Sequence, residues 1–350
     1  IVVKVQAVAD DEAVGDVDSA GAQRCRSAAT GHLDLGQLMD TLGERTLVEL
    51  GVIGDELMAI EVKRGRFSRR SIGDIGEIRR ELSRLRFDMR RSARLRRDPS
   101  RVIEATARFG AMVLDDRGDG EEVVLVPPAT LMSAPWAVIP ALAGRTVTLS
   151  PSAEIWARSV GSKPESEGVV LAAGPDLENS VAEVARLADL YEGAAVVLGP
   201  SDETAHFADH VAGSSIAHAA CHATFERENP MFSSLRLGDG DFNVYDLERL
   251  QRPPHLMVLS ACDSGYTETN AGDELTGVTS ALLSMGSGSV VASIGLVPDS
   301  EATAELMYRF HRRLAGGETP SAALARSQAE LIDDPAGYIA AASFVCVGGG

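Results

Sequence analysis

From residue 168 onward the chain alternates short, wholly apolar runs with amphipathic stretches of helical length. The apolar runs are "GVVLAAG" (168–174), "AAVVLG" (194–199), "SIAHAAC" (215–221), "HLMVLSA" (255–261) and "GSVVASI" (288–294). Between the earlier ones, "LENSVAEVARLADLY" (177–191) and "DETAHFADHV" (202–211) read as helices. A strand that is apolar along both faces needs cover on both, and a parallel sheet sandwiched between helices supplies it. The pattern therefore predicts an α/β lobe of three layers over about 165–350. In such sheets reactive groups collect at the carboxyl ends of the strands.

The first half is patterned differently. "RTLVELGVIGDELMAIEVKRG" (45–65) is two apolar runs around a Gly-Asp turn, a hairpin signal. Ile75, Ile78, Leu82, Leu85 and Met89 then recur at helical spacing through an arginine-rich segment, and a second helix is expected near 99–113. "EEVVLVPP" (121–128) is a strand stopped by two prolines, and "GSKPESEG" (161–168) is a polar, turn-rich linker. Three segments follow: a lead or linker over 1–33, an N-terminal half over 34–164, and the regular α/β half over 165–350.

A net charge of −18 argues against nonspecific binding to nucleic acid or to anionic membrane. The arginine cluster of 63–101 is the local exception, and its helical spacing puts the arginines on outward faces, solvated or docked on acidic neighbours. No apolar run reaches the ~18 residues of a membrane span. The first residue is Ile and no basic leader with an apolar core follows it, as expected of an excised or processed chain rather than a secreted precursor. Cysteines at 25, 221, 262 and 346 form no CxxC pair, which suits reduced thiols in a cytoplasm.

Two apolar runs end in side chains capable of chemistry: "SIAHAACHATF" (215–225) presents His222 and "HLMVLSACDSG" (255–265) presents Cys262. If their strands are parallel neighbours, an imidazole and a thiol meet at one sheet edge, the requirement for a nucleophile with its base. Gly265 would give the tight turn that lets a substrate backbone approach. A lone cysteine after an apolar strand is more often a small buried hydrophobe. Cys221, one residue from His222 and so on the opposite sheet face, and Cys346, inside a terminal apolar run, fit that description.

The blocks 215–250, 258–331 and "SFVCVGG" (343–349), with "VVLVPPATLMSAPWAVIP" (123–140) and "VTLSPSAEIWARS" (147–159) upstream, resemble a CHAT domain over about 34–350. CHAT domains belong to the caspase and separase clan of cysteine peptidases. The resemblance implies an α/β fold: a three-layer α/β/α caspase-like sheet preceded by a pseudo-caspase-like half. It implies Cys262 as nucleophile, His222 as its base, and an oxyanion hole from the backbone N–H groups of Cys262 and Ala223. Relatives often have glycine where Ala223 stands; alanine donates an equivalent N–H at negative φ. "SIGLVPDSEAT" (293–303) resembles the separase segment whose acid receives a basic side chain, so Asp299 is a candidate for binding the residue before the cut. "PDSEATAEL" reads equally as a helix cap by Asp299 or Ser300. Asp263 is a second substrate-binding candidate.

The resemblance further implies a cytoplasmic endopeptidase that needs no metal or organic cofactor and acts on a protein substrate through a thioester. Relatives often follow TPR repeats or other sensor modules, and some act in bacterial defence on a partner such as a gasdermin. Three lysines against thirty arginines suit a GC-rich bacterial genome. The polar stretch between Gly265 and Gly272 is a plausible gate, and "NPMFSSLRLGDGDF" (229–242) a hairpin lining the groove.

Other chemistries fit less well. His206 and His210 share a helix face and His218 and His222 share strand parity, but no HExxH or CxxC accompanies them. G-x-S-x-G and phosphate-binding glycine loops are absent. The serious alternative is a catalytically silent caspase-like interaction or signalling module.

Overall fold

The computed structural model describes residues 34–350 apart from 96–97, 115–121, 199–203, 225–233, 238–239, 250–251, 264–278 and 296. The lead segment 1–33 and the expected gate at 265–272 lie outside the described residues. Thirteen described strands join in one sheet.

The sheet has two blocks of opposite direction. In the second half, β6 (Val169–Ala173), β7 (Ala195–Leu198), β8 (Ile216–Thr224), β11 (Leu256–Asp263) and β12 (Ser289–Ser293) run parallel in the order β7-β6-β8-β11-β12. In the first, β1 (Thr46–Ile53), β4 (Glu122–Val126) and β5 (Thr146–Leu149) are parallel, and β2 (Glu56–Lys63) and β3 (Arg66–Asp74) extend them antiparallel. The last strand, β13 (Phe344–Gly348), lies between the blocks, antiparallel to β12 and parallel to β5. The expected hairpin at 45–65 is β1 and β2, with Gly54 at φ 61 in their turn, a conformation glycine adopts without penalty.

Helices cover both faces. In the first half α1 (Leu35–Leu42) packs on one face, while α2 (Ile75–Leu95) and α3 (Ser100–Val113) pack on the other. The periodic residues Ile78, Leu82, Leu85 and Met89 of α2 are buried as their spacing requires. Arg84 of α2 docks on an acidic neighbour as expected, meeting Glu81, which Arg108 of α3 also meets; Arg86 departs from the expected outward face, being partly buried and hydrogen-bonded to Ser133 and the Thr130 carbonyl. α4 (Ala153–Ser159) joins α1 on its face, where Ala153 and Trp156 are buried.

In the second half α5 (Ser180–Ala188), α6 (Thr204–Val211), α7 (Val244–Arg249), α8 (Glu301–Ala315), α9 (Pro320–Ala329) and α10 (Pro335–Ala342) supply the cover. Val184 and Leu187 of α5 meet Leu171, Ala173 and Ala220 of the sheet. On the opposite face Phe207 and Val211 of α6 meet Ala217, Ala219 and Cys221. β8 is rich in alanine, a weak strand former; parallel neighbours on both sides hold it extended, and its small side chains leave room for other groups on that layer.

Candidate active site

β8 and β11 are adjacent and parallel, and their register sets Cys262 directly opposite His222. The sequence expectation placed both at strand exits, and each is the seventh residue of its strand, one or two before its end. The ladder reaches that far because β8 changes partners along one edge. Its first part pairs with β6, and His222, Ala223 and Thr224 pair with β9 (Ser234–Leu237) of the hairpin completed by β10 (Gly240–Asn243). That hairpin is the one expected within 229–242, although its turn at 238–239 lies outside the described residues.

The imidazole of His222 has two distinct environments. Its Nε2–H donates to the carbonyl of Asp176 at 3.4 Å, whereas Nδ1 is buried and has no partner among the described residues. In a neutral imidazole a proton on Nε2 leaves Nδ1 as the acceptor, the form a general base requires. The group that meets Nε2 is a backbone carbonyl, which no side-chain pattern in the sequence marks. Asp176 has φ 62, a left-handed conformation that aspartate tolerates better than most residues, and Arg236 holds its carboxylate at 3.4 Å. Arg236 is itself the register partner of His222 on β9.

The loop carrying Asp176 is tied down on several sides. Gly174 N–H donates to the Ala220 carbonyl, and a side chain at Gly174 would meet the Arg236 carbonyl and the Cys221 Cβ, each at 2.5 Å. Ser180 Oγ donates to the carbonyls of Gly174 and Leu177. Asp299 accepts from Glu178 N–H at 2.8 Å, Asn179 N–H at 3.2 Å and Asn179 Nδ2 at 2.9 Å. Of the two caps considered for α8, Ser300 is the one that forms, accepting from Thr303 N–H. Asp299 instead clamps the loop leading into α5 from across the sheet's end, at the mouth of a pocket it shares with Leu177, Ser180, Glu183, Ser260 and Thr303.

Ala223 is buried opposite Asp263 of β11 and Leu235 of β9. The side chains of Cys262 and Asp263 lie outside the described residues, so their positions are those of the strand register. Cys221 is fully buried in the core of the opposite face, as its strand parity requires, and Cys346 is buried too. Burial pushes the Cys346 thiol up to about 12, so it stays protonated.

Behind His222 runs a buried polar row that the sequence did not announce. Glu183 Oε1 lies 2.9 Å from His218 Nε2, His218 Nδ1 lies 3.1 Å from His311 Nε2, and His311 Nδ1 lies 2.9 Å from the Tyr191 hydroxyl. Both histidines are fully buried, and His311 is held well below its ordinary value by desolvation and by the neighbouring His218. His218 thus pairs across helices instead of joining His222 as a metal ligand. No cluster of three metal-ligating side chains occurs among the described residues.

No curated protein matches this sequence. The structure is similar to that of separase from Saccharomyces cerevisiae in its complex with securin, with a TM-score of 0.66 and 9% identity over 89% of this chain. A second crystal structure of that complex gives a TM-score of 0.59 and 12% identity, again over 89% of this chain. In both, the match spans 30% of the separase chain. These likenesses establish the caspase-like fold of the sheet and its helical layers. The CHAT domain model matches residues 100–348, well over half of the sequence, and the chain accordingly belongs to the CHAT domain family.

Proposed function

We propose that this chain is a cysteine endopeptidase in which Cys262 attacks a peptide carbonyl and His222 moves the proton. The observation that carries the reading is the register of Cys262 on His222, together with an Nδ1 that is buried and open among the described residues while Asp176 holds Nε2. His222 takes the thiol proton as sulfur bonds to the carbonyl carbon, then gives it to the leaving amine when the C–N bond breaks. Water, deprotonated by the same imidazole, hydrolyses the thioester. The N–H groups of Cys262 and Ala223 are the oxyanion donors this reading requires. The substrate is a protein segment whose residue before the cut is basic, read by the pocket beside β11.

Buried thiols at Cys221 and Cys346, outside any disulfide, are compatible with a reducing cytoplasm, and no described helix is long and apolar enough to cross a membrane. The family suggests the effector end of a bacterial sensor or defence protein, with an upstream TPR or other sensor module and a gasdermin-like substrate. Carbamidomethylation tests the chemistry. Cys262 is expected to react at least ten times faster than in His222→Ala, and a peptide library should be cut by the wild type but not by Cys262→Ala. Labelling that ignores His222, with no cleavage, would leave an interaction module of the same fold.

A further inference from the structure

The pocket beside β11 holds a carboxylate better placed than Asp299 to read charge. It is a cavity of about 30 Å³, and Ser260, two residues before Cys262, lines it together with Glu183. Alternate residues of a strand share a face and are separated by roughly 6.6 Å, so the pocket adjoins the register position of the nucleophile. Glu183 is 5% exposed, and His218 is the only hydrogen-bond partner of its carboxylate among the described residues. No lysine or arginine among the described residues lines the pocket. Arg186, on the same helix, is occupied by Glu305 at 3.0 Å and by the Tyr308 ring.

Counting protons along the polar row gives two arrangements, and the one that leaves Glu183 an anion is the one a basic side chain selects. If the Tyr191 hydroxyl donates to His311 Nδ1, then His311 Nε2–H donates to His218 Nδ1 and His218 Nε2–H donates to Glu183. Both imidazoles are then neutral, and the whole row carries one negative charge, at its pocket end. Tyr191 has an alternative acceptor in the His311 carbonyl at 3.1 Å; using it reverses the row and requires one further proton between His218 and Glu183. A buried carboxylate with one neutral donor is undercompensated, and a cation entering the pocket supplies what it lacks. Asp299 is differently placed: it is exposed, and three donors of the 178–179 segment already occupy it.

We propose that Glu183, held by the His218–His311–Tyr191 row, is the specificity-determining carboxylate that receives the guanidinium or ammonium of a basic substrate side chain, Asp299 serving to anchor the loop at the pocket mouth. The proposal deepens the peptidase reading and rests on it, but a binding measurement tests it without turnover. Butylguanidinium and its uncharged isostere butylurea are titrated into the full chain by ligand-observed NMR. Wild type is expected to prefer butylguanidinium at least tenfold. Glu183→Gln, which keeps an oxygen for His218, should bring the two within twofold, and Glu183→Asp should retain a preference. Ser260→Leu, which fills the pocket and spares Glu183, should abolish binding; if Glu183→Gln does not fold, a preference retained in Asp299→Asn supports Glu183 and its loss there overturns it. A preference that survives Glu183→Gln, or that follows Asp299→Asn instead, overturns the assignment, as does failure of wild type to distinguish the probes. Failure of the peptidase reading would appear separately, as Cys262 labelling indifferent to His222.

Discussion

Replacing His311 with leucine removes the middle of the buried row and should destabilise the protein by an amount that depends on pH. At pH 7.5 the variant strands His218 Nδ1, at a cost of about 1–3 kcal/mol for a buried unpaired group. The Tyr191 hydroxyl keeps the backbone carbonyl at position 311 and forfeits about 1 kcal/mol, for a total of about 3 kcal/mol.

Burial and His218 hold His311 well below the ordinary histidine value, so between the two values the unfolded chain binds the extra proton. Wild-type stability therefore rises with pH across that window and is lost as pH falls below about 6.5. Between pH 7.5 and 5.5 one such group withdraws on the order of 1 kcal/mol from the wild type and nothing from the variant. Titrating groups outside the row, including His255, whose burial lowers it too, are common to both proteins and cancel. Urea unfolding at the two pH values should show the gap between wild type and His311→Leu shrinking toward acid by roughly 1 kcal/mol. A gap that is constant or widens toward acid would refute the assignment of His311 as a buried neutral imidazole.

Three further outcomes follow from packing. Gly174→Ala should slow His222-dependent labelling of Cys262 at least tenfold, because a Cβ 2.5 Å from the Arg236 carbonyl must displace the loop that carries Asp176; unchanged labelling kinetics would remove that loop from the site. Cys346, buried with its thiol pushed up to about 12, should resist a chromogenic disulfide reagent at pH 8 until denaturant is added, when it should react at once. Trp136→Ala should cost about 3–5 kcal/mol in chemical denaturation, since the indole is fully buried, donates to the Leu131 carbonyl at 3.0 Å and meets Phe109 edge to face.

The strands that carry His222 and Cys262 were legible because each is a continuous apolar run between helical patterns, and burial on both faces leaves a chain few other arrangements. The α2 helix was legible for the same reason at a period of 3.6 residues. Asp176 was hidden because it acts through its backbone carbonyl, and side-chain pattern says nothing about where a carbonyl points; the Gly-Pro-Asp at the end of β6 signals only a turn. Glu183 sits in "SVAEVARLA", where a glutamate resembles a solvated helix face, and the row it ends is drawn from β8, α8 and the turn after α5. Asp299 lines the pocket, yet its clamp on the loop could not be read from the chain, because its three donors lie some 120 residues away in sequence.

The placement of β13 also orders events during synthesis. Among the described residues, the five-stranded block bearing Cys262 and the strands of residues 46–149 are hydrogen-bonded into one sheet only through Phe344–Gly348. While a ribosome is still making α10, that slot is empty and the edges of β12 and β5 face water. The strands of the two slabs can zip together only after residues 344–348 emerge, so the sheet bearing Cys262 acquires its finished flank later than every other described strand is made.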